Sequence, residues 1–250
     1  MAFNRFVIVL AVVLLLFPSV AFSAKDVSLL VTVELHADGG AFVKERYGLL
    51  LNDDSEIEEF NNYRYFSQNT LTEWRRFSKN LKYHVAGQGV PVNPKLSAKR
   101  LLNVGSRTVS IELEYDVSHV VSSSAQGPRI QSYSFGTDVL SFDLTASREV
   151  ILPLEPLTTL ELVLPPDAYL VQKTLSPEPT LQEGNKLSWS GPINGRWNVD
   201  YSIEQPLGNE VRAYFDGLYR NGVSVIPLAL PIVFVLLVGV FLVNKLLHER

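Results

Sequence analysis

Five stretches of the sequence hold residue types that can do chemistry. Asp53-Asp54-Ser55-Glu56-Ile57-Glu58-Glu59 gathers carboxylates densely enough to suit a hard cation such as calcium. It lacks the D-x-[DN]-x-[DN]-G spacing of a calcium loop, and the competing reading is an acidic helix start stabilised by the helix dipole. Residues 75–107 are the reverse: Arg75, Arg76, Lys79, Lys82, Lys95, Lys99, Arg100 and Arg107, with no acidic residue among them. From this run, Arg75, Arg76, Lys79, Lys82, Lys99 and Arg100 form a candidate patch for an acidic lipid headgroup, an anionic glycan or a protein partner. The competing reading is charge pairing with the 53–59 run. Ser118-His119 beside Ser122–Ser124 invites a hydrolase interpretation, but no G-x-S-x-G elbow accompanies it. Gly87-Gln-Gly89 has neither a third glycine nor a following helix, so it is a turn and not a phosphate loop. Trp189 and Trp197 flank the Gly191–Gly195 turn, as a packed cross-strand pair or as a sugar platform.

Other chemistries lack their residues. His36, His84, His119 and His248 show no metal-binding spacing. The chain has no cysteine, which removes disulfides, thiolate nucleophiles, zinc ribbons and iron–sulfur sites. No N-x-[ST] sequon occurs, so N-glycosylation is not expected. The formal charge of −4 includes three basic residues and one acidic residue at the ends, which leaves the body between them at about −6. That is no footprint for nucleic acid. The sequence therefore predicts no catalytic residue, no cofactor and no metal ligand set.

The elements that would carry these residues are mostly strands. Val27 to Leu35 alternates apolar and polar, Asp38-Gly39-Gly40 supplies a hairpin turn, and Val43, Tyr47, Leu49 and Leu51 share a face of the return strand. Residues 55–80 break the alternation. Ser55-Glu-Ile-Glu58 is a capping-box pattern and Asn69-Thr-Leu-Thr-Glu73 a second helix start, so a short helical insertion rich in aromatic residues is predicted. Further strands are predicted at 81–85, 108–117, 130–135, 139–144, 150–154, 160–164, 169–173, 186–190 and 197–203. Closely spaced short strands with frequent turns predict a mostly β fold, an antiparallel β-sandwich built as one large or two small modules. The candidate division is 24–150, with the insertion, and 151–205. Residues 206–222 form a connector in which Tyr214, Phe215, Leu218 and Tyr219 recur at helical spacing. They are candidate contacts at the membrane interface, and the competing reading is a helix closing the sandwich.

Both ends are apolar. Arg5, the apolar run Phe6–Phe17, Pro18 and the small residues Ala21 and Ser23 predict a secretory signal over 1–23, cleaved before Ala24; an uncleaved anchor is the alternative. Val223–Val243 is uncharged over 21 residues, about 31 Å of helix, and predicts one membrane span. With the signal setting orientation, the body lies outside the cytoplasm and the tail 244–250 inside. The expected partners are the lipid bilayer and another membrane or envelope protein, with no nucleic acid.

Within the last third, Leu160-Glu-Leu-Val-Leu-Pro-Pro-Asp-Ala168, Leu175-Ser-Pro177, Lys186-Leu-Ser-Trp189 and Gly195-Arg-Trp197, followed by the apolar span, resemble the membrane-proximal module of the ribophorin I family. The same arrangement resembles uncharacterised archaeal type I single-pass proteins with a β-rich exterior. The resemblance implies an accessory, non-catalytic architecture, and it carries over no catalytic residue. The leading expectation is thus a membrane-anchored body that binds or scaffolds an envelope component. An accessory subunit of a glycosyltransferase or translocon complex, or an exterior glycan-active enzyme, are the alternatives.

Overall fold

The computed structural model describes residues 24–66, 70–87, 90–100, 107–127 and 129–204, with 208, 211, 216 and 217. The expected signal 1–23, the span 223–243, the tail 244–250 and the contacts Tyr214, Phe215, Leu218 and Tyr219 lie outside the described residues. Among the described residues no helix is long and apolar enough to cross a membrane.

The chain is mostly β and rich in antiparallel pairing. Its strands are β1 Lys25–Leu35, β2 Ala41–Leu50, β3 Val92–Arg100, β4 Thr108–Val117, β5 Ser122–Ala125, β6 Ile130–Gly136, β7 Val150–Leu152, β8 Leu157–Val163, β9 Ala168–Leu170, β10 Leu181–Glu183, β11 Lys186–Ser190, β12 Ile193–Gly195 and β13 Asn198–Glu204. Two helices, α1 Asp54–Phe66 and α2 Leu71–Trp74, fill the insertion. A seven-stranded sheet runs β10-β11-β8-β1-β2-β4-β3, a four-stranded sheet β5-β6-β13-β9, and β12-β7 form a small pair. Inward residues of both larger sheets, such as Val31, Val33 and Leu160 on one and Phe135, Val199 and Tyr201 on the other, belong to one continuous core.

Two features depart from a purely antiparallel meander. β1 pairs with β8 in parallel, with Val31 opposite Leu160 and Val33 opposite Leu162. Parallel neighbours need a long connection, and here the connection is the whole stretch between them. Strands from either side of residue 150 share both sheets as adjoining blocks, meeting at β8 beside β1 and at β13 beside β6. The 24–150 and 151–205 segments therefore meet within both sheets.

The strands expected at 81–85 and 139–144 are corrected to irregular segments joined by the single bridge Val85↔Leu140. Their alternation is real, since Leu81, Val85, Val139 and Leu140 are buried. Their backbone bonds, however, run to each other, with Ala86 N donating to Val139 O and Ser141 N to His84 O. The 169–173 strand is shorter than expected, because Gln172–Thr174 turns into a 3-10 helix. β3 was not predicted. It is an edge strand with Leu96 as its one buried side chain, so it has almost no apolar alternation to read.

The acidic run is the start of α1, and its cap is Asp53, two positions earlier than the Ser55 box suggests. Asp53 Oδ1 accepts from Glu56 N at 2.9 Å and from Ser55 Oγ at 2.7 Å. Glu56 Oε2 in return accepts from Asn52 N at 2.6 Å. These bonds to Ser55 and the Glu56 amide hold the Asp53 carboxyl below its usual range. Phe60, Tyr63, Trp74 and Phe77 of the insertion meet largely edge to face, with centroids 5.4 to 6.1 Å apart.

Candidate functional site

The inward parity of β2 runs Ala41, Val43, Glu45, Tyr47, Leu49, so a carboxylate lands in the core between two apolar neighbours. Glu45 is fully buried and fully partnered. Its Oε1 accepts from the Tyr115 hydroxyl at 2.5 Å and from His84 N at 2.7 Å. Its Oε2 lies 2.5 Å from the Tyr47 hydroxyl and 2.9 Å from His84 Nδ1. Tyr115 also accepts from Val85 N, and the Tyr47 hydroxyl lies 2.8 Å from Lys82 O. The cluster thus clamps segment 82–85 onto the sheet. Burial first, and the Glu45 carboxylate second, push the hydroxyls of Tyr47 and Tyr115 far above the ordinary tyrosine range. A carboxylate engaged by four donors holds structure together. It is not a free general base.

A small cleft of about 250 Å³ lies beside this cluster, lined among others by Asp26, Lys82, His84, Phe142, Asp143 and Glu155. Asp26 Oδ2 accepts from Asn80 Nδ2 at 2.6 Å, and Asp143 lies 3.8 Å from Lys82 Nζ. Two of the three acidic side chains are therefore already engaged within the protein. Among the described residues no group of three or more His, Asp or Glu is placed to share a metal ion.

A charged ladder crosses the outward face of β2, β4 and β3. Glu112 meets Arg46 Nε at 2.9 Å, Lys99 Nζ at 3.0 Å and Lys44 Nζ at 3.6 Å, while Glu114 takes Lys44 Nζ at 2.7 Å. Burial alone would raise the Glu112 carboxyl, but these three cations hold it below its usual range.

The six residues of the basic patch are spread over three elements. Arg75, Arg76 and Lys79 follow α2, Lys82 lies in the clamped segment, and Lys99 and Arg100 sit on β3. Arg75 Nε donates to Leu81 O, Arg76 pairs with Glu59 and Tyr63, Lys82 faces Asp143, and Lys99 faces Glu112. Arg76–Glu59 and Arg107–Asp54 connect the basic and acidic runs directly. Trp189 and Trp197 are both buried and meet edge to face at 6.0 Å. They pack between β11 of one sheet and the approach to β13 of the other, and Trp189 Nε1 donates to Pro177 O.

Two further openings lie elsewhere, along the β5–β6 side of the four-stranded sheet. Cavities of about 360 and 370 Å³ adjoin at Ser122, Ser123 and Ser134. Asp138 lines the first and Asp200 the second. The strand register places Ser122, Ser134 and Asp200 in one row, and Ser124, Ser132, Ser202 and Tyr169 in the next. Burial acts to raise the Asp200 carboxyl, but hydrogen bonds from Ser134, Thr174 and Asn198 leave it lowered. Ser132, Ser134, Asp200 and Ser202 join Ser122 and Ser124 on this face, a set that the nucleophile reading of Ser122–Ser124 does not include. Their alternation with Tyr133, Phe135, Tyr201 and Ile203 was the available signal.

No family model matches the chain, and no curated protein matches it. Among solved structures, the NMR structure of the folded domain of the Mycobacterium tuberculosis LppM protein is similar at 9% identity with a TM-score of 0.35, covering 75% of this chain and 95% of that one. A likeness of this size bears on neither mechanism nor ligand.

Proposed function

We propose that this is a non-catalytic, membrane-anchored β-sandwich protein whose extracytoplasmic body binds or scaffolds an envelope component. The observation that carries the binding role is the open, hydroxyl-lined face of the four-stranded sheet, with two adjoining cavities and an acid lining each. Pockets of a few hundred Å³ with convergent polar groups are the usual form of a ligand site. The buried Glu45–His84 pair supports the non-catalytic part, because its carboxylate is consumed by Tyr47, Tyr115 and the His84 amide. The anchoring part rests on the uncharged runs 6–22 and 223–243 and on the signal-like residues before Ala24. Most cations of the basic run are matched by carboxylates or carbonyls, in keeping with a protein or lipid setting and not with nucleic acid.

Protease treatment of intact cells tests this reading. The body is expected to be digested from outside, and the protein to fractionate with membranes and to begin at Ala24. Full-length protein free in the cytosol with Met1 retained would overturn it.

A further inference from the structure

We propose that the outward face of the four-stranded sheet binds an uncharged oligosaccharide. The inference deepens the binding role above and rests on it. Neighbouring strands lie about 4.8 Å apart and same-face residues roughly 6.7 Å apart along a strand. Ser122, Ser134 and Asp200, then Ser124, Ser132 and Ser202, therefore form a two-row grid of oxygen-bearing side chains. A serine hydroxyl both donates and accepts, as a sugar hydroxyl does, while Asp200, already accepting from Ser134, Thr174 and Asn198, orients the row. The second row ends in Tyr169, which is 66% exposed and opposite Ser202. An exposed phenol ring offers an apolar face with a wet edge, which suits the C–H face of a pyranose.

Charge narrows the ligand class. Among the described residues no lysine or arginine lines either cavity. Arg129, just before β6, is paired with Glu204. A phosphate, sulfate or uronate would meet Asp138 and Asp200 without a counter-charge. An apolar ligand would strip water from the hydroxyl rows without replacing its hydrogen bonds. A neutral polyol satisfies both constraints.

The test uses full-length protein in nanodiscs and saturation-transfer NMR with four neutral trisaccharides (maltotriose, cellotriose, mannotriose and chitotriose), alongside trigalacturonate and chitosan trimer. At least one neutral sugar is expected to bind, and the acidic and cationic trimers to bind more weakly than it. Ser132→Leu, in the middle of the grid, and Asp200→Asn are expected to weaken that sugar by about tenfold or more. Tyr169→Ala, at an exposed position, gives a second readout should the grid variants misfold by circular dichroism. Silence from all four neutral sugars, preference for a charged trimer, or affinity unchanged in well-folded variants would each overturn the proposal. Those results would leave the cell-surface assignment standing, because the protease experiment does not depend on them.

Discussion

Tyr47 and Tyr115 show how a single buried carboxylate sets the chemistry around it. Glu45 accepts both hydroxyls at 2.5 Å, and burial plus that neighbouring charge keeps them protonated far beyond the ordinary tyrosine range. Both folded-state values are raised, so their contribution is complete below the unfolded value of about 10 and is lost as pH climbs past it. Above pH 10 the unfolded chain releases the Tyr47 and Tyr115 protons that the folded chain keeps, and burial of Tyr201 and Tyr133 adds to the same trend. Stability is then expected to fall by up to ~1.4 kcal/mol per pH unit for each tyrosine. Urea titrations of the detergent-solubilised protein between pH 9 and 11 check this. Tyr115→Phe should flatten the slope by one tyrosine's share, up to ~1.4 kcal/mol per pH unit. A slope unchanged in the variant would show that other groups carry the alkaline response. The sequence marked Tyr47 as an inward residue, but nothing in it announced that Glu45, two positions earlier on the same face, would find four donors. Besides Tyr47 itself, those donors come from β4 and from segment 82–85, far away along the chain.

Segment 81–85 is held by side chains more than by strand pairing. One bridge joins it to Leu140, while His84 N, His84 Nδ1 and Val85 N reach Glu45 and Tyr115. Removing Glu45 leaves three buried polar partners without their acceptor. Glu45→Ala is therefore expected to cost about 3–5 kcal/mol. It should also release amide protection at His84, Val85 and Ser141 before the β1–β2 hairpin, as hydrogen exchange would record. Equal loss of protection across the hairpin would argue that the cluster is not a local clamp. β3 shows the opposite balance. It pairs fully with β4 from Lys95 to Arg100, yet it was invisible in the sequence because an edge strand with Pro94, Lys95 and Lys99 follows the rules for avoiding aggregation and not those for filling a core. The α1 start was legible because capping chemistry is local, and only its position shifted, from Ser55 to Asp53.

The two larger sheets share a core that neither half of the chain can complete. Without residues after 150, β1 loses its parallel partner β8 and β6 loses β13. Trp189, Trp197, Leu160 and Tyr201 leave the core with them. A 24–150 fragment is accordingly expected not to fold cooperatively, giving no sharp thermal transition and poor amide dispersion in solution. Co-expression with 151–205 is expected to restore both. A well-folded 24–150 fragment would show that the later strands are dispensable.

Period-2 alternation, Gly-rich turns and capping residues were enough to assign a mostly β chain with a short helical insertion, since those signals act over a few neighbouring positions. Apolar run length was likewise enough to mark the two ends as membrane-directed expectations. Folding alone settled the partner of β1, the burial of Glu45, the dispersal of the basic run among carboxylates and the gathering of six separated oxygen-bearing residues on one sheet face. Each of these depends on which distant strands become neighbours, and register across a sheet is a long-range outcome of packing that no local pattern encodes.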